Sequence, residues 1–311
     1  MRLLVTGASG FVGRNLLLGT DSDWVVFAIY RRSTDFPAWV RANGLGHVVP
    51  IKCDLAIQED VVALGRQLGG RTDVIVHLAA NGDPAYSVRD PRGDLLDGPV
   101  SLVTLLTSVA CDRLVYFSSG AVYDGLEGLV GPETPVEPTL PYAISKFACE
   151  RYVQHFRSEG QISSYVIVRF FGAYGRYEPE RKLFTRLVRW AGDASGSPFE
   201  VRGDGENLID ALHVDDLVRA VRLMMVAGVA NHVVDLSSGA PLTINELVNR
   251  ASLILGRPEG RIRHADTVPE YIRFSVSPDR MRRLYGFEPA IELEDGLLRL
   301  KAHLEPEETL P

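Results

Sequence analysis

Apolar residues in the first 170 positions come in short continuous runs rather than in strict alternation: "RLLVTG", "WVVFAIY", "HVVPIKCDL", "VIVHLAA", "RLVYFSS" and "YVIVRFF". A strand that is apolar at nearly every position is buried on both faces, as in a parallel sheet covered by helices. Helical periodicity fills the gaps at residues 11–19, 59–68, 94–110 and 141–159, the last opened by a proline in its first turn. The pattern predicts an α/β fold with a doubly wound parallel sheet over residues 1–170. Beyond residue 170 it loosens into Gly/Pro-rich loops, helices near 181–191, 215–227 and 243–255, and short strand-like pieces. Residues 171–311 therefore read as a smaller, mixed α/β substrate domain. A segment near 208–240, with a strand candidate at 232–236, is expected to return to the first sheet.

Composition narrows the function classes. The 311 residues are 46% hydrophobic, and 33 basic against 40 acidic residues give a net charge of −7. With no basic tail or patch, nucleic acid is not an expected partner. The mild acidic end "LEPEETLP" is expected to fray. The opening "MRLLVTGASGFVGRNLLL" resembles a signal peptide only superficially, because glycines interrupt the run and no small-residue cleavage site follows. No apolar stretch approaches about 18 residues, so no membrane partner is expected. Cys53, Cys111 and Cys149 are odd in number, widely spaced and without CxxC pairing. They fit a reducing, cytoplasmic setting as buried small hydrophobes and predict no metal site.

Chemistry begins at the first turn. "TGASGFVGRNL" places Gly7, Gly10 and Gly13 three residues apart between a strand and a helix. Such glycines allow the tight turn, the approach of backbone N–H groups to a pyrophosphate and close helix packing, with Phe11 and Val12 in the same loop. A dinucleotide cofactor on a Rossmann sheet follows. The residue ending the second strand then reads the adenosine ribose, an acid for NAD or a cation for the 2′-phosphate of NADP. Here stand Tyr30, Arg31 and Arg32, and guanidinium groups match a phosphate bidentately. NADP(H) is the expected cofactor, with NAD(H) as the alternative if the arginines only solvate a loop. Asp54, followed by Leu55, stands where a carboxylate accepts from the adenine amino group, or where an aspartate merely initiates a turn. Leu78, Ala79 and Ala80 end the fourth strand on the cofactor side, and Asn81 follows toward the substrate. His77, between Val76 and Leu78, reads as a packed core histidine.

Ser118 and Ser119 end the fifth strand, and "PYAISK" sets Tyr142 and Lys146 four apart on one helical face. A phenol is a poor base at neutral pH, and a neighbouring ammonium favours its phenolate, giving a usable proton shuttle. A serine hydroxyl opposite would bond the substrate oxygen.

With these motifs in order, "TGASGFVG", "CDLA", "VIVHLAA", "YFSSGAVYD", "YAISK", "VRFFGAYG", "VRGDGENLIDALHVDDLVRA", "LYGFEP" and "LEDGLLRL", the chain resembles an extended short-chain dehydrogenase/reductase of the nucleotide-sugar epimerase/dehydratase/reductase group. The resemblance implies Ser119, Tyr142 and Lys146 as the catalytic set, a nucleotide-sugar substrate, and a homodimer through the helices at 94–110 and 141–159. There are departures. Gly120 and Ala121 stand where family dehydratases carry Asp-Glu, which disfavours dehydration. Ile209 replaces a diphosphate-binding arginine, for which Arg176, Arg181, Lys182, Arg202 and Arg273 are candidate substitutes. Near the family's relay asparagine there are only Asp94 and Asp97. The arginine pair favours an NADPH-dependent 4-keto sugar reductase; the alternatives are an NAD-dependent 4-epimerase and, more remotely, a non-catalytic NAD(P)-binding protein.

Overall fold

In a computed structural model that describes residues 1–257, 261–265 and 272–305, the six apolar runs form parallel strands of one sheet. They are Arg2–Thr6, Val25–Tyr30, Val48–Lys52, Arg71–His77, Ala110–Ser119 and Ile162–Phe170. A seventh strand, His232–Leu236, returns to pair in parallel with the sixth. From that edge the order is seventh, sixth, fifth, fourth, first, second, third. The order reverses at the first strand, so a crevice opens outside the carboxyl ends of the first and fourth strands.

Alternate residues of each strand enter opposite cores, which explains the continuous runs. Leu3, Val5, Val74, Val76, Val115 and Phe117 join one core, and Leu4, Ile75, Leu114 and Tyr116 the other. Register levels the strand ends: Thr6 stands beside His77, His77 beside Tyr116, and Ser119 beside Phe170.

The helix expected at 94–110 is broken. It is built as Pro91–Leu95, a π-turn Leu96–Val100, and Ser101–Ser108. Pro99 has no N–H to give the helical ladder, so the turn widens. The Ser101 hydroxyl donates instead to the Leu96 carbonyl at 2.7 Å.

Beyond the sixth strand, helices Leu183–Gly192, Ile244–Ile254 and Leu293–Leu304 enclose a third core with Phe199 and Val201. Helix Val214–Val226 instead buries Leu217, Val221 and Met224 in the first core. Helix Asp279–Tyr285, without a counterpart in the sequence reading, does the same with Met281 and Tyr285. Most of the acidic end, residues 306–311, lies outside the described residues. No helix among the described residues is long and apolar enough to cross a membrane.

Candidate active site

Gly7 has φ +65°, and a Cβ there would stand 2.9 Å from the backbone nitrogen of Ala79. A Cβ on Gly13 would stand 2.5 Å from the Gly7 carbonyl oxygen and 2.6 Å from that of Ala8. The first glycine permits a left-handed turn against the end of the fourth strand, and the last lets the helix seat on the turn. Helix Phe11–Leu18 starts at Gly10 without a side-chain cap, so its first N–H groups remain available to an anion.

A cleft of about 310 Å³ opens beside this turn, lined by Gly7, Gly10, Tyr30, Arg31, Arg32, Asp54, Leu55, Leu78, Ala79 and Ala80. Phe11 and Val12 pack their side chains against the first core, leaving backbone N–H as their contribution to the loop. The cradle of glycine backbone, apolar walls and polar rim fits the adenosine and pyrophosphate of a dinucleotide.

Arg31 is committed within the chain. Its guanidinium donates to both oxygens of Asp97, at 2.5 and 3.2 Å, and lies 3.8 Å from Asp54. Asp97, carried into the cleft by the π-turn, also lines it. Asp54 in turn accepts from the backbone N–H of Ala56, so it initiates a turn as well as facing the cleft. Among the described residues Arg32 has no ion-pair partner, and it lines the same cleft.

Beneath the cleft, the Thr6 hydroxyl accepts from the N–H groups of Leu78 and Ala79, both at 3.1 Å. Its own proton therefore goes to His77 Nδ1, 3.0 Å away, which assigns the ring proton to Nε2. His77 is buried, and desolvation with the nearby Lys146 ammonium pushes its pKa down to about 3.

Tyr142 and Lys146 rise from the start of helix Pro141–Ser158. Tyr142 is pinned by its backbone N–H to the Ser87 hydroxyl at 3.0 Å, and among the described residues its phenol has no hydrogen-bond partner in the chain. The Lys146 Nζ is buried, donates to the Phe117 carbonyl at 2.8 Å and sits 5.8 Å from the Tyr142 ring centre. Ser119 ends the fifth strand, and its hydroxyl oxygen accepts from the N–H of Ala121 at 3.1 Å, capping the short turn Gly120–Tyr123. The Phe171 ring lies against Gly120, where a Cβ would meet it at 2.7 Å.

The proposed substrate contacts are more dispersed. Asn81 spends its amide on its own loop, donating to the Asp83 carbonyl and Asp94 Oδ1 and accepting from the Asp83 N–H. Arg176 is exposed beside the first helix, with Nε 3.5 Å from Asn15 Oδ1. Arg202 is exposed on the strand Phe199–Arg202, and Arg273 begins the strand Arg273–Val276, 4.0 Å from Glu127. The sequence reading missed the pairing of Asp97 and the ring of Phe171. It also missed a buried ion pair, Glu150–Arg169, which an arginine inside the apolar run "VIVRFF" signals because a buried charge requires a partner.

Residues 3–237 match the family described as the NAD dependent epimerase/dehydratase family. A dTDP-glucose 4,6-dehydratase of Streptomyces griseus is 31% identical over 315 residues, 95% of this chain and 91% of the relative. The UDP-glucose 4-epimerase of Thermotoga maritima, solved with UDP-glucose, superposes with a TM-score of 0.84 at 25% identity, covering 98% of this chain and 99% of that one. MoeE5 in complex with UDP-glucuronic acid and NAD gives 0.84 at 26% identity with the same coverage. The family match runs from the first strand of the sheet to the end of the seventh, and relatives share nearly the full length; the chain belongs to the NAD-dependent epimerase/dehydratase family.

Proposed function

We propose that this protein is an NAD-dependent nucleotide-sugar 4-epimerase. The observation that carries the reading is the commitment of Arg31 to Asp97 and Asp54. With Arg31 held by Asp97, the arginine pair is not free to clamp a 2′-phosphate as a unit, and Asp54 stands in the cleft as a carboxylate that accepts from a ribose 2′-hydroxyl. The two structural neighbours support it, one being a UDP-glucose 4-epimerase and the other holding NAD with UDP-glucuronic acid. Dehydration, the activity of the Streptomyces griseus relative, is disfavoured by Gly120 and Ala121. The Phe171 ring occupies the space a side chain at position 120 would need.

In this reading Tyr142 takes the proton from the sugar 4-hydroxyl and later returns it to the same oxygen, while the Ser119 hydroxyl bonds that oxygen. Lys146, anchored on the Phe117 carbonyl, keeps positive charge beside the phenol. Bound NAD supplies a reversible hydride acceptor. The chain must let the keto sugar turn its other face before the hydride comes back. A second reading, an NADPH-dependent 4-keto sugar reductase, draws on Arg32, which lines the adenosine cleft without an ion-pair partner among the described residues. Exposed Val88, Leu95, Val100, Ile144 and Tyr152 on the helices between residues 84 and 158 support a homodimer.

The test is to denature the purified protein and identify any released nicotinamide by mass spectrometry. The intact protein is then incubated with UDP-glucose, UDP-glucuronic acid and dTDP-glucose, and products are read by NMR at C4. Retained NAD and a C4 epimer are expected. An empty site that prefers NADPH, with no inversion at C4, would replace this reading with the reductase.

A further inference from the structure

Glu150 and Arg169 are both almost wholly buried, 2% and 4% exposed, and form a two-pronged pair with Nε–Oε1 at 3.0 Å and Nη2–Oε2 at 2.9 Å. Removing two charges from water costs about as much as their attraction returns, so stability alone is a weak reason for such a pair. What it touches is more informative. Glu150 Oε1 also accepts from the Ser118 hydroxyl at 2.6 Å, and Arg169 Nη1 donates to the Tyr123 hydroxyl at 3.0 Å. Tyr123 donates onward to Asp235 Oδ1 on the seventh strand, at 2.9 Å.

Ser118 immediately precedes Ser119, and Tyr123 closes the turn that Ser119 caps. Both ends of the segment bearing Ser119 are therefore tied to one ion pair. Glu150 rides on the helix that bears Tyr142 and Lys146, four residues after the lysine and eight after the tyrosine, on the same face. The pair thus spans the joint between the strand-borne serine and the helix-borne tyrosine and lysine.

We infer that the Glu150–Arg169 pair, acting through Ser118 and Tyr123, sets the position of Ser119 against Tyr142 and Lys146; all four are positioning residues. Proton and hydride transfers fall steeply when reacting groups are misplaced by even an ångström, which is the error this clamp prevents. The inference rests on the proposed reading that Ser119, Tyr142 and Lys146 are the reactive set.

Ser118→Ala and Tyr123→Phe each delete one hydroxyl and leave the ion pair and the packing in place. Turnover of whichever of UDP-glucose, UDP-glucuronic acid or dTDP-glucose the wild type converts would be measured, together with NAD affinity by titration and the melting temperature. Each variant is expected to lower kcat by about three- to tenfold, with KM and NAD affinity within about twofold. The double variant is expected to lose more than the product of the single losses, because either tie partly holds the segment when the other is gone. Wild-type kcat in the double variant overturns the inference, whatever its melting temperature; so does a fall in kcat accompanied by equal losses in KM and NAD affinity. If the double variant does not fold, the kcat-against-KM split of Ser118→Ala decides. Tyr142→Phe, measured alongside, separates the two claims: if it retains turnover, the assignment of the reactive set fails instead.

Discussion

His77 predicts a specific weakness of the fold toward acid. In the folded chain it is buried against Tyr116, with Thr6 donating to its Nδ1, and its pKa is pushed from 6.5 down to about 3. The unfolded chain takes up a proton below 6.5 that the folded chain refuses down to about 3. Stability is therefore complete above about pH 6.5 and is lost as pH falls below it. With these two values the loss between about pH 7.5 and pH 5 is about 2 kcal/mol. Against a total stability of roughly 5–15 kcal/mol, that is a measurable share. His77→Asn keeps an acceptor near Nδ1 for Thr6 and removes the titration. Urea unfolding at both pH values would give the wild-type loss and the variant loss. The variant starts lower, having given up its ring contact with Tyr116, but its stability should fall by about 2 kcal/mol less on acidification. If wild type and variant lose the same amount, His77 is not the group responsible, and the burial argument is wrong.

Two further outcomes follow from the cofactor cleft. Gly13→Ala brings a methyl group to 2.5 Å from the Gly7 carbonyl oxygen; backbone must move, costing about 1–3 kcal/mol of stability, and NAD affinity measured by fluorescence titration should fall at least about tenfold. Wild-type affinity in that variant would show that the turn does not hold the pyrophosphate. Asp97→Asn removes the negative partner of Arg31, a partly exposed pair worth about 1 kcal/mol or less. The ratio of NADPH to NADH affinity should rise by up to about fivefold, and Arg31→Ala with Arg32→Ala should reverse that gain. No change in the ratio for either variant would mean that neither Asp97 nor the arginines read the 2′ position.

The ring at Phe171 stands beside the proposed reactive serine. Its contact with Gly120 places an apolar wall next to Ser119, and the same ring stacks on Tyr123, 6.2 Å between centres. An acid at position 120 would have to displace this aromatic cluster and would be desolvated by it. Packing at position 120 thus agrees with the glycine found there.

Features whose physical cause is local are legible in the residues alone. A parallel strand buried on both faces must be apolar at consecutive positions, so six strands of the sheet are visible as runs. A strand-to-helix turn that admits a pyrophosphate must use glycine where a Cβ would strike backbone, so Gly7 and Gly13 mark themselves. Tyr142 and Lys146 meet because four residues are about one helical turn. Which distant charges become partners depends on how the chain closes on itself. Arg31 meets Asp97 across 66 residues because strand order brings the second strand beside the π-turn, and that turn exists because Pro99 cannot supply an N–H. Arg169 meets Glu150 because the register of the sixth strand against the fifth sets Arg169 beside Ser118, under the helix that carries Glu150. Periodicity speaks for neighbours a few residues apart; a pair such as Arg31 and Asp97 arises only when the folded chain sets those side chains face to face.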